Sequence, residues 1–324
     1  MPRVPISLLV DDGCPLIHAY RWHHESVHRK APRTDDGRLL LDYVPNDLLD
    51  RFCDVVAAHG MAGKFSIVPS PAGKGDIVRG IDGFDVALTR QWLATAAERL
   101  SPRFDFSPEG ITHDLTLDLK TNRFLPVGES DWSQTQDRTT LIPYITRQLE
   151  LMKAAGFAAT GVTCPWVFGL DVEDEFTASV VAAQKAVNGR DFSWYFLHTL
   201  HEKPRKPWVA SRVGGAVLVS IPTTVDDHYW ATINSPRTDR EYVDEIADRS
   251  ITKDGKGGSI IDVMRAGSWP MLLTHWQSLF SNGLETGLKV LDVVGKRIND
   301  TLGAQVEWKT CMEIAALTAA GAAD

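Results

Sequence analysis

The feature that most constrains the fold is an alternation. Short apolar or β-branched runs fall at 6–10, 64–69, 103–106, 160–164, 191–196, 216–221, 269–274 and 305–308. Stretches with helical spacing follow most of them, at 45–59, 86–100, 139–155, 173–187, 239–248, 259–265, 284–302 and 312–320. Asn46 stands where an N-cap is expected, and Gly60 and Gly156 stand where helices should stop. Strand, helix, strand demands parallel pairing with helical crossovers. Seven or eight such units in 324 residues fit one closed barrel better than two domains, so the pattern predicts an α/β barrel spanning residues 1–324 as a single domain. A doubly wound open sheet competes, but Asp11, Asp12 and Gly13 occupy the place of its glycine fingerprint. Gly73-Lys74-Gly75 is too short a match to indicate phosphate binding.

Composition narrows the function classes. The chain has 44% hydrophobic and 23% charged residues, which excludes a disordered or collagen-like polymer. Against 42 Asp+Glu stand 34 Lys+Arg, a net charge of −8, and the densest basic run, at 203–206, is broken by Pro204. This argues against a nucleic-acid partner. Cys14, Cys53, Cys164 and Cys311 are scattered without metal-knuckle or disulfide spacing, which suits a reduced compartment. The amino terminus reaches Asp11 too soon for a signal peptide, and no run approaches the ~20 apolar residues of a membrane span. A cytoplasmic protein without a membrane partner is the expectation. The ten Trp beside twelve Phe are an unusual ratio.

In a parallel barrel, chemistry gathers at the carboxyl ends of the strands. Strand one runs into Asp11-Asp12, adjacent carboxylates that repel unless a cation or a shared proton compensates; a surface acidic turn is the plain alternative. After strand three comes Gly110-Ile111-Thr112-His113-Asp114, with His113 a metal ligand or acid–base group or else an ordinary packed histidine. Strand seven, Met271 to Thr274, ends on His275, placed to donate a proton or to be satisfied at the rim. Lys64 begins strand two and is expected on the opposite, structural face or in a salt bridge. The segment 223–230, with Asp226, Asp227, His228 and Trp230, reads as a solvated loop somewhat better than as part of the mouth. His18, Trp22, His23, His24 and His28 read as a mobile rim loop, and His198 and His201 as surface. Glu173, Asp174 and Glu175 suit a helix start. Trp92 and Trp308 are expected in the core, whereas Trp22, Trp166, Trp230 and Trp276 follow strand ends. Of these Trp166, Trp230 and Trp276 are the candidate sugar-stacking rings.

The order of these motifs resembles the NodB-like polysaccharide deacetylases. Asp11-Asp12-Gly13, the histidine motif after strand three, Leu273-Thr274-His275 and the closing segment 306–315 carry the likeness, with 59–68 similar to that family's second strand. The resemblance implies a distorted (β/α)7-type barrel and metal-dependent removal of an acetyl group from a carbohydrate or related small amide or ester. It implies Asp11 as general base, Asp12 and His113 as ligands of a divalent metal, zinc first, and His275 as general acid. The family's second motif has two histidines four positions apart, but four after His113 stands Leu117. Asp114, Asp118, His275 or an early-loop histidine would then complete the shell. Two other readings compete: a glycoside hydrolase using paired carboxylates such as Asp11 and Asp227, and a carbohydrate-binding protein without turnover. Substrate, linkage and oligomeric state are not legible.

Overall fold

In the computed structural model, which describes residues 3–321, every expected strand is present. They are β1 Val4–Gly13, β2 Gly63–Ile67, β3 Phe104–Pro108, β4 Gly161–Thr163, β5 Phe192–Phe196, β6 Ala216–Ser220, β7 Met271–His275 and β8 Val306–Trp308. Parallel ladders join β7, β1, β2 and β3 in that order, with β8 beside the start of β1. A second sheet places β5 between β4 and β6, all parallel, and adds Trp208–Val213 antiparallel to β6.

The strands therefore follow one another in ring order, but the expected barrel is not closed by continuous ladders. It is two parallel sheets whose edges meet at isolated bridges, Glu109 with Thr163 and Val225 with Leu272. The local chemistry explains both seams. Only three residues form β4, and Pro108 ends β3 while Pro165 follows β4 closely. Pro222, which has no N–H to donate, interrupts the approach of the β6 end to β7.

Side-chain alternation along β1 sorts the interior. Ile6, Leu8 and Val10 pack outward into the cluster that holds Leu48, Phe52 and Phe65, whereas Leu9 packs inward with Trp194, Phe196 and Leu273. Asp11 continues the inward set, level with His275 on β7. On β2, Lys64 pairs in register with Leu9, so it lies inside the ring and not on the opposite face.

The helices sit close to their expected positions: Asp47–His59, Val86–Leu100, Arg138–Ala154, Glu173–Asn188, Arg240–Ser250, Ser259–Arg265, Thr286–Leu302 and Cys311–Ala319. Gly60 stops the first of them in the left-handed region at φ 65°. Asn46 occupies the N-cap position, yet its amide donates to Leu88 O at 2.9 Å instead of capping. Thr310 and Glu313 form a capping box on the last helix. The elements that the pattern does not predict include the short helices Ala19–Ser26, Glu129–Ser133 and Trp276–Phe280, the hairpins of Leu115–Asp118 with Arg123–Gly128 and of Gly75–Asp76 with Gly80–Ile81, and the strand Trp208–Val213. All four cysteines are free and buried. Among the described residues no helix is long and apolar enough to cross a membrane.

Candidate active site

The carboxyl ends of β1, β3, β4 and β7 open into one cavity of about 730 Å³, whose lining includes Asp11, Asp12, Glu109, His113, Trp166 and His275. Three of these residues are non-glycines in the left-handed region: Asp12 at φ 62°, His113 at φ 51° and Trp166 at φ 56°. Such a conformation costs ~1–3 kcal/mol where the surroundings impose it. For His113 the imposing group is visible. Glu129 is buried and accepts from the backbone N–H groups of Ile111, Thr112 and His113 at 2.8, 3.0 and 2.8 Å, and from the Tyr144 hydroxyl. Gly110, at φ 62°, leaves room for this carboxylate, since a Cβ there would collide with Glu129 Oε2.

On this frame Asp12, Glu109 and His113 bring ligand atoms to within 4.8 Å of one another. His113 Nε2 lies 2.8 Å from Asp12 Oδ1 and 3.5 Å from Glu109 Oε1. Gln277 donates to Asp12 Oδ2, and the Asp12 backbone N–H donates to Glu109 Oε2 at 2.7 Å. Asp12 Oδ1 itself is buried and accepts no well-directed hydrogen bond. Its close polar neighbour is the His113 ring, and two carboxylates with an imidazole suit a borderline divalent cation such as zinc. The residues fit a metal on that ground. Burial pushes Asp12 up, but the neighbouring His113 charge outweighs it and holds the carboxyl well below its usual range. The reciprocal effect on His113 also defeats burial, which would lower it, and raises it well above an ordinary imidazole.

Two ion pairs flank this cluster. Lys64, fully buried, donates to Asp11 and, at 3.0 Å, to Thr163 Oγ1. Burial pushes the Asp11 carboxyl up and Lys64 pulls it back, leaving it at about 7. His275 Nδ1 lies 2.7 Å from Asp227 Oδ2, an oxygen that also accepts from the His275 backbone N–H and from Ser278 Oγ. Burial would lower His275, but the Asp227 hydrogen bond and charge prevail and push it up to about 9. Near neutral pH His275 therefore holds its proton while Asp11 stands close to its midpoint, a difference set by environment.

The structure thus brings together Asp11, Asp12, His113 and His275, and it corrects several expectations. Glu109, four positions before His113, completes the group, whereas the family spacing points four positions after it, to Leu117. Asp118 lies half-buried at the hairpin turn, where it accepts from Thr121, and Asp114 accepts from Ser26 outside the cluster. Asp227 belongs to no solvated loop: it is buried beneath His275. The rim segment is the helix Ala19–Ser26 with His18 and His23 buried, and His201 lines the cavity with its ring 2.9 Å from Thr223 Oγ1. Trp166 and Trp230 line the cavity as expected, Trp230 edge-on to His275 at 5.1 Å. Trp276 does not: it is buried on the outer face against Phe52, Phe65 and Trp92, because the strand ends at His275 and the helix that follows turns the next side chain away. Trp22 lies between Arg21 and Lys74.

No family model matches the chain, and no curated protein does. Among solved structures, one assigned to a polysaccharide deacetylase of Mycobacterium smegmatis aligns at 13% identity over 86% of this chain and 78% of its own, with a TM-score of 0.48. The 4-alpha-glucanotransferase of Thermococcus litoralis aligns at 11% identity over 98% of this chain and 40% of its own, TM-score 0.49. A CE4 family pseudoenzyme of Bacillus anthracis aligns at 13% identity over 84% and 62%, TM-score 0.37.

Proposed function

We propose that the protein is a metal-dependent hydrolase that removes an acetyl group from a carbohydrate or a related small amide or ester. One observation carries the reading: a donor triad, Asp12, Glu109 and His113, stands in one cavity with a buried base, Asp11, and a paired acid, His275. A divalent cation held by the triad would supply Lewis acidity toward a water and the scissile carbonyl. Asp11, tethered by Lys64 and poised near neutrality, accepts the proton of the attacking water. His275 is kept protonated by Asp227 and delivers its proton from Nε2 to the departing nitrogen or oxygen. Gln277 fixes the orientation of Asp12. The glycosidase alternative is less well supported, since Asp227 is spent on His275 and Ser278 and does not line the cavity.

Acetate release from acetylated sugars by zinc-loaded protein tests this reading. The expected outcome is turnover that stops with a chelator, returns with zinc and is lost in Asp12→Ala. Tight sugar binding without any acetate released would support the non-catalytic alternative instead.

A further inference from the structure

The helix Ala19–Ser26 follows β1, so its near neighbours in the ring are β2 and β7. Its side chains reach much further. His23 stacks on Trp166 with ring centroids 5.1 Å apart and interplanar angle 22°, and its Nδ1 lies 3.3 Å from the His113 carbonyl oxygen. Trp166 follows β4, which stands across the ring from β1. Tyr20 meets Trp230, beyond β6, edge-on at 4.8 Å, and His18 meets Phe280, beyond β7, at 5.9 Å. A short element rooted on one side that touches the rims after β3, β4, β6 and β7 must cross the axis of the ring. Tyr20, His23, Val27 and His28 are among the residues lining the cavity beneath.

Resting on the hydrolase reading above, we infer that this helix roofs the site and restricts it to small substrates: one or two acylated rings and not an acetyl group inside a long chain. An extended polymer needs an open groove running past the reactive carbonyl on both sides. Here the crossing helix and its two aromatic contacts, His23–Trp166 and Tyr20–Trp230, occupy that path. The remaining volume, about 730 Å³, lies within the ~300–1,000 Å³ range of small-molecule sites. No Lys or Arg side chain is among the lining residues, while Asp131 and Asp226 are. The small body it takes is therefore uncharged or cationic.

The test measures binding and turnover separately on the full chain loaded with zinc. N-acetylglucosamine, di-N-acetylchitobiose and hexa-N-acetylchitohexaose are titrated by calorimetry, and acetate release from each is followed. The expected result is binding of the first two at least tenfold tighter than the hexamer, with kcat/KM at least 100-fold lower for the hexamer. Tyr20→Ala combined with His23→Ala should narrow both gaps by tenfold or more, and circular dichroism should show an unchanged fold. A hexamer that binds or turns over as well as the dimer overturns the inference, as does failure of all three sugars to bind. Size-graded binding with no acetate released leaves the inference standing and removes the hydrolase reading.

Discussion

His275 and Trp276 are neighbours in sequence but belong to two different regions. His275 faces the lumen, where polar groups are strained or paired: Asp12 Oδ1 lies against the His113 ring, and Asp12 and His113 sit in left-handed backbone. Trp276 faces the jacket between sheet and helices, where Phe52, Phe65 and Trp92 meet it edge-on at 5.6–6.3 Å and its side chain is 2% exposed. The jacket stabilises the fold by burying apolar area, and the lumen gives up some of that stability to hold groups in reactive geometry. Substitutions in the two regions should accordingly separate activity from stability.

The sharpest separation is expected at the adjacent pair. His275→Ala should lower kcat/KM by ~10²–10⁴ while shifting the urea midpoint little. In the wild type the alkaline limb follows from the His275 pKa. The raised value means His275 holds its proton below about 9, so activity is expected between the Asp11 value of about 7, below which the base is protonated, and about 9, and it falls as pH rises through that upper value. Asp227→Asn removes the charge that helps to raise it, and a pH–rate profile should show the falling limb moved to lower pH. An unmoved limb would break the assignment of His275 as acid. Trp276→Ala should do the opposite of His275→Ala, costing ~3–5 kcal/mol of stability by denaturant unfolding with the catalytic constants of the folded fraction retained.

Glu129→Gln tests the boundary between the regions. Glu129 is buried like a jacket residue but acts on the lumen through the backbone of 111–113. An amide can still accept through its oxygen but loses the second acceptor, so His113 should be less firmly placed. Zinc affinity is expected to fall by ~10–100-fold, the scale of partners that orient ligands. An affinity within twofold of wild type would show that the turn holds itself. The smallest effect belongs to Trp166→Ala: with Trp166 52% exposed, stability should move by no more than ~0.5 kcal/mol.

The jacket was the more legible region. Apolar spacing located the eight parallel strands and the eight long helices, because periods of 2 and 3.6 are imposed by burial on one face. The strand end alone marked Asp11, whereas Lys64 enters the lumen through the pairing of Leu9 with Lys64, a step available only once register is known. What remained hidden depends on contacts distant in sequence. Glu109 reaches Asp12 across 97 positions and Asp227 reaches His275 across 48, and neither pairing has a local signature. The helix Ala19–Ser26 has no clear sequence signature because its two histidines, arginine and glutamate mask a short apolar face. Closure of the ring was overestimated because counting strands does not register how short β4 is or what Pro222 interrupts.

The central claim is that Asp12, Glu109 and His113 form a cation site, and zinc titration of chelator-stripped protein with competition readout tests it most directly. The account expects one zinc per chain in the wild type and loss of that site in Glu109→Ala, with circular dichroism unchanged. A wild-type chain that binds no zinc, or a Glu109→Ala variant that binds it as tightly, would contradict the account.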